Sequence, residues 1–281
     1  EMTPAERMAS GVNTGHLVWD GTGVTNAAPS RLGPRARVTA AGALVATYEA
    51  VQASFGAPLT TTGFTADVVV VNDGVGTLSD GCETPFANAG AVAGRIALID
   101  RGTCTFAVKA TNAQANGAVG ILFVNNVAGT PATVSGVVPV VTIPIASVSL
   151  ADGNAIRTAT GSGTVTLTFD LDATKLAGAN DAGLVRMFAP NPAQPGSSIS
   201  HWDVTAFPNL LMEPSINADL TDDIDLTFNM FYDIGWFPQL VAAPGPGAAS
   251  GDLAFTHGPN PSHEGGVLRF RLPAAGEVEL T

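Results

Sequence analysis

Residues 80–126 read DGCETPFANAGAVAGRIALIDRGTCTFAVKATNAQANGAVGILFVNN, and this stretch decides the fold. A short apolar run at 95–99 ends in the polar turn Asp100-Arg101-Gly102. A helix is predicted over 106–116, because Phe106, Ala110 and Ala113 keep a helical spacing and Asn116-Gly117 supplies a stop. A second apolar run follows at 119–124. Strand, helix and strand in that order predict a small α/β unit, since a helix between parallel strands packs back on their sheet.

The pattern extends in both directions. Apolar runs at 68–71, 137–143 and 164–169 read as further strands, and a second helix is predicted over 148–159 with Ser147 before it. Upstream, residues 1–34 carry a short helix at 3–9, with Thr3 as N-cap and Pro4 in the first turn, and then a turn-rich GHLVWDGTGV. Downstream, 172–240 is loop-rich and holds SSISHWDVTAFPNLLMEP (197–214) and DLTDDIDLTFNMFYDIGW (219–236). The flexible VAAPGPGAASG from Val241 opens a region, 241–281, whose alternating VLRFRL predicts the first strands of a β-sandwich, cut short. The expected fold class is therefore mixed α/β and β-rich, divided at 1–34, 35–171, 172–240 and 241–281. Both ends read as interrupted.

Composition narrows the function classes. The formal charge is −12, and Lys109 and Lys175 are the sole lysines, so nucleic acid is an unsuitable partner. The longest apolar run, 134–145, is broken by Gly136, Pro139 and Pro144 and falls short of the roughly 20 residues a membrane-spanning helix needs. Cys82 and Cys104 leave one question, bonded or free; an acidic, lysine-poor chain suits a secreted or cell-surface setting, where bonded is favoured.

The stretch at 80–126, with VVTIPIASVSLADGNAI after it, resembles the protease-associated domain over about residues 35–170. The resemblance rests on GRIALIDRG, the cysteine just after it, the TFAVKATNAQANGA helix and the strand ending in VNN. It implies a small β-structure with flanking helices, no catalytic residues, and a place within or beside peptidases. It also implies a Cys82–Cys104 disulfide, closing a loop worth about 3 kcal/mol in the chain-entropy model. Lys109 is expected on the outer face of its helix.

A second resemblance covers about 184–237. Ser200-His201-Trp202, Leu211-Met212-Glu213-Pro214 and the closing Asp-Ile-Gly-Trp resemble the C-terminal subdomain of leishmanolysin-like metzincins. There the histidine is the third zinc ligand and the methionine lies in a turn beneath the metal, which implies His201 as ligand and Met212 as a structural Met-turn residue. The departure is large: the sequence contains no HExxH, so two zinc-binding histidines and the general-base glutamate are absent. The chain alone is expected to be inactive, a piece of a secreted zinc metallopeptidase acting on peptides or proteins, with the protease-associated domain inserted ahead of the third histidine. The alternative is a non-enzymatic extracellular binding or structural module, a subunit of a surface assembly. Asp219, Asp222, Asp223 and Asp225 form an acidic run that is a calcium candidate by its oxygen ligands. GPNPSHEGGVLRFRLP in the tail resembles bacterial immunoglobulin-like sorting modules.

Overall fold

Thr3 and Glu6 close a capping box on α1 (Pro4–Ser10): the Thr3 hydroxyl takes the Glu6 amide and the Glu6 carboxylate takes the Thr3 amide. The computed structural model describes residues 3–215, 220 and 223–236, and the backbone of 254–256 and 269–271. A second helix, α2 (Thr22–Arg31), occupies the region read from sequence as turns.

From Pro34 the chain builds a closed barrel of seven strands in the order β1-β2-β6-β5-β4-β3-β7. Antiparallel pairing joins β1 (Pro34–Gly42) to β2 (Ala46–Gln52), with Val38 opposite Tyr48. Next come β3 (Phe64–Val70), the short α3 (Ala89–Val92), β4 (Ile96–Asp100), α4 (Phe106–Ala115), β5 (Gly120–Val124), β6 (Ile145–Val148) and α5 (Leu150–Thr160). The last strand, β7 (Val165–Leu176), pairs with β1 and with β3 and closes the ring. Strands β3 to β6 are mutually parallel, and α4 lies between β4 and β5 in the chain.

The parallel strands are buried on both faces, which is why they read as unbroken apolar runs. Ile96 and Leu98 join Leu122 and Val124 in one core with Val38, Leu167 and Phe169. Ala97 and Ile99 face the other way, with Ile121 and Phe123, and meet Ala110 and Ala113 of α4. Helix α5 seats Ile156 in the first core and approaches β5 so closely that a Cβ on Gly153 would stand 2.2 Å from a Val124 methyl.

Three expectations are corrected. Residues 137–143 form no strand; Pro139 and Pro144 lack the N–H a ladder needs, and pairing resumes after them as β6. Ser147 is buried inside β6, so the cap of α5 is Ser149, whose hydroxyl accepts from the Asp152 amide at 3.1 Å. Lys109 is not on an outer face: it is fully buried.

A third core lies outside the barrel. It gathers Val24, Ala28 and Leu32 of α2 with Val185, Met187, Trp202 and Leu210, and with Leu226 of α6 (Asp225–Asp233). The segments before and after the barrel are thus packed together, and they meet at its base, where the Ala177 amide donates to the Gly33 carbonyl at 2.9 Å. The chain divides into two compact units, Glu1–Trp236 and Phe237–Thr281. In the second, β8 (Ala254–Thr256) and β9 (Arg269–Arg271) pair antiparallel; the remainder of the expected sandwich lies outside the described residues.

Candidate functional site

His201 sits on a short extended piece held from both sides. Its carbonyl accepts from the Phe188 amide at 2.8 Å, and the next residue, Trp202, donates its amide to the Met212 carbonyl at 2.8 Å. The sequence-predicted histidine and methionine turn are therefore brought together. Met212 is half-buried and packs on the third core. Trp202 is 1% exposed and meets Trp19 edge-on, with ring centroids 6.3 Å apart.

The His201 ring is oriented. Nδ1 lies 3.0 Å from the Ser197 carbonyl and 2.9 Å from the Ser200 hydroxyl. A carbonyl oxygen only accepts, so the ring donates to Ser197 in the tautomer that carries its proton on Nδ1, and that tautomer presents Nε2 as an acceptor. Nε2 has no hydrogen-bond partner among the described residues. A histidine that donates one ring N–H to a carbonyl and presents the other nitrogen has the form of a metal ligand. A catalytic zinc requires three protein ligands, and no second histidine joins His201 in a metal-ligating group among the described residues.

Asp233, in the Asp-Ile-Gly-Trp motif, fixes this layer. Its carboxylate accepts from the Trp19 indole at 2.9 Å and from the amides of Gly23 and Val24 at 2.7 and 3.0 Å, capping α2 from a distance of some two hundred positions in the chain. Burial pushes this carboxyl up, yet the hydrogen bonds outweigh it and hold the carboxyl below its ordinary range. Gly21 is required beside it, because a Cβ there would fall 2.2 Å from the Asp233 carboxylate oxygen.

Two links tie this layer to the barrel. Arg186 pairs with Glu49 of β2, with Nη2 3.1 Å from the carboxylate, and the Thr133 hydroxyl donates to the Val204 carbonyl at 3.0 Å. Between them opens a cleft of about 450 Å³, whose walls include Arg101, Phe106 and Asn125 from the barrel and Phe188, Asp203 and Glu213 from the outer layer. Asp203 is 2% exposed. Burial pushes its carboxyl up, against hydrogen bonds from the Thr205 hydroxyl and amide. Sequence reading missed Asp203, though it directly follows the Ser-His-Trp motif.

A second charged group lies around the disulfide. Cys82 and Cys104 are bonded, with Cα atoms 5.9 Å apart. Carboxylate oxygens of Asp73, Asp80 and Glu83 lie within 4.8 Å of one another. Lys109 answers them from inside: its ammonium donates to the Asp80 carbonyl and lies 3.3 Å from the Cys82 sulfur. Burial lowers the Lys109 pKa, opposed by the charges of Asp80 and Asp100. Glu83 is pushed up by burial and by the charges of Asp73 and Asp80. The group thus carries its own counter-ion.

The calcium candidate fares differently. Asp219 and Asp222 lie outside the described residues. Asp223 pairs with Arg31, and the Asp225 carboxylate takes the amides of Leu211 at 2.6 Å and Thr227 at 3.0 Å. These carboxylates serve the helix start and the Met212 turn, so the described members form no shared oxygen site.

Residues 64–156, from β3 through most of α5, match the family model of the PA domain. A probable leucine aminopeptidase 2 of Aspergillus fumigatus is 43% identical over 82 residues, 28% of this chain and 16% of that protein. The minor extracellular protease Vpr of Bacillus subtilis is 34% identical over 85 residues, 30% of this chain and 10% of its own length. An aminopeptidase of Pseudomonas aeruginosa is 51% identical over 65 residues, 22% of this chain and 12% of that protein. The matched part thus spans between 10% and 16% of these relatives. Among solved structures, a zinc aminopeptidase from Bacillus subtilis aligns at TM-score 0.37 and 23% identity, over 60% of this chain and 38% of its own.

Proposed function

We propose that the chain is part of a secreted zinc metallopeptidase of leishmanolysin-like type, into which a PA domain is inserted between the zinc-binding helix and the third histidine. The observation that carries this reading is the pairing of His201, with Nδ1 donating to Ser197 and Nε2 presented, with the Met212 turn joined to it through Trp202. In this reading His201 is the third zinc ligand, and the other two, with the general-base glutamate, come from an HExxH segment that this sequence does not contain. Zinc bound there would polarise a peptide carbonyl and activate water. The chain's own contribution is to hold the His201 ring by Ser197 and to seat the methionine turn by Trp202.

The same reading divides the chain at 1–34, 35–171, 172–240 and 241–281, with 1–34 and 172–240 as two parts of one peptidase scaffold. The shared core of α2, Trp202 and α6 supports that division. The disulfide supports an extracellular setting, as does the extracellular relative, and no helix among the described residues is long and apolar enough to cross a membrane.

Elemental mass spectrometry tests it, on the chain extended upstream to include an HExxH segment and on its His201→Ala variant. Stoichiometric zinc in the extended chain, lost in the variant, is the expected result. No zinc in the extended wild type would sink the peptidase reading and leave a non-enzymatic extracellular module.

A further inference from the structure

The two sulfurs of the Cys82–Cys104 disulfide have different surroundings. Fully buried Lys109 places its Nζ 3.3 Å from Cys82 Sγ while donating to the Asp80 carbonyl. Burial works against its charge, and the carboxylates of Asp80, Asp100, Asp73 and Glu83 support it. The Asp73 and Asp80 carboxylates are turned to the Cys82 amide, which donates to them at 3.1 and 3.0 Å, so the sulfur itself meets the cation. Cys104, by contrast, directly precedes Thr105, the N-cap of α4, and lines an open cleft of about 540 Å³ with Thr103 and Ala107. Cys82 is not among the described walls of that cleft.

The backbone around the two residues differs in the same sense. Cys82 is pinned without the disulfide: Asn112 Nδ2 donates to the Gly81 and Cys82 carbonyls at 3.1 and 3.0 Å, in addition to the two bonds from the Cys82 amide. Cys104 lies outside α4, and its amide donates to the Gly102 carbonyl within its own turn. Thr103, between them, has a φ of 67°, a strained conformation for a β-branched residue. Opening the bond would therefore free the Cys104 turn and leave Cys82 seated against Lys109.

In thiol–disulfide exchange, access selects the sulfur that is attacked, and the better stabilised thiolate is the one expelled. The cleft selects Cys104 for attack, and Lys109 selects Cys82 for departure. A whole ammonium charge against the sulfur inside the fold outweighs the roughly half-charge of the helix N-terminus beside Cys104. We propose that this disulfide is a directional exchange site for small aliphatic thiols, which bond to Cys104 while Cys82 leaves as a thiolate held by Lys109. The incoming thiol gives its proton to solvent, and its sulfur electron pair forms the new bond to Cys104 Sγ. The electron pair of the old bond goes to Cys82 Sγ, so one disulfide is consumed and one is made. None of His201, Met212 and Asp233 takes part, so the inference stands or falls separately from the zinc reading.

Peptide mapping on the full chain tests it. The oxidised protein is incubated with millimolar glutathione, trapped with N-ethylmaleimide and digested with trypsin, whose cleavage at Arg95 and Arg101 puts the two cysteines on separate peptides. Glutathione on Cys104 with maleimide on Cys82 is expected to exceed the reverse pattern by about tenfold. Single-cysteine variants give a second readout that leaves Lys109 in place. By ultraviolet thiolate absorbance, Cys82 in Cys104→Ser is expected to ionise below the ordinary cysteine value of about 8.5, and below Cys104 in Cys82→Ser. Equal adducts on both cysteines, an excess on Cys82, exchange in urea but none in the native chain, or a Cys82 thiol that ionises at or above the ordinary value would each overturn the proposal.

Discussion

Two buried charges in this chain obey opposite rules. Lys109 is fully enclosed, yet its ammonium has the Asp80 carbonyl as acceptor and carboxylates around it. Lys109→Met is expected to cost about 3 kcal/mol by urea unfolding, because the methionine fills the space and leaves the acids without their cation. Asp203 is a carboxylate enclosed without a salt-bridge partner among the described residues, and burial raises its pKa. A carboxyl raised above its unfolded value contributes stability that is fully present below the ordinary value of about 4 and is lost as pH rises through the folded one. Asp203→Asn keeps an oxygen for Thr205 and sheds the charge. The variant is expected to unfold at higher urea than the wild type at pH 7 and to lack the wild type's decline above about pH 4; equal midpoints at both pH values would refute this account.

At the scale of elements, α2 depends on α6. Asp233→Ala removes the acceptor for two α2 amides and for the Trp19 indole, and is expected to cost about 2 kcal/mol. Its carboxyl is held low, so the stabilisation is present above the unfolded value of about 4 and is lost as pH falls through the depressed one. Denaturation of wild type and variant is expected to converge at acid pH. This dependence explains what the sequence hid. Helix α2, TGVTNAAPSR, has weak amphipathicity and a cap supplied by residue 233, so no local signal marks it. Strands β1 and β2 are rich in alanine, threonine and arginine and escaped notice, whereas β4, β5 and α4 were legible because both faces of the parallel block are apolar. Lys109 was misplaced because a helical spacing of alanines marks a buried face without stating how wide it is. His201 and Met212 were legible as a motif; the Ser197 carbonyl that meets the ring was not, because that contact depends on the turn at 197–200 rather than on residue type, and the cleft was not, because its walls come from segments distant in sequence.

For the whole molecule, the barrel carries its own disulfide and two of the three cores, while the flanking segments share the third. A fragment of residues 34–176 is expected to fold alone, with the Cys82–Cys104 bond formed and a single cooperative melting transition under non-reducing conditions. A fragment that melts without cooperativity would show that Glu49–Arg186 and the outer layer are needed for the barrel itself.

The stitch at Gly33 and Ala177 has a mechanical meaning. The chain leaves for β1 and returns from β7 through adjacent residues, and Pro34 lies opposite Leu176 in the register. Tension applied across the flanking segments at these two points would not stretch the barrel as a whole. It would load β1 against β7 at their shared end and open their hydrogen bonds one after another, so rupture at low force, starting at the stitch, is the response that this geometry dictates.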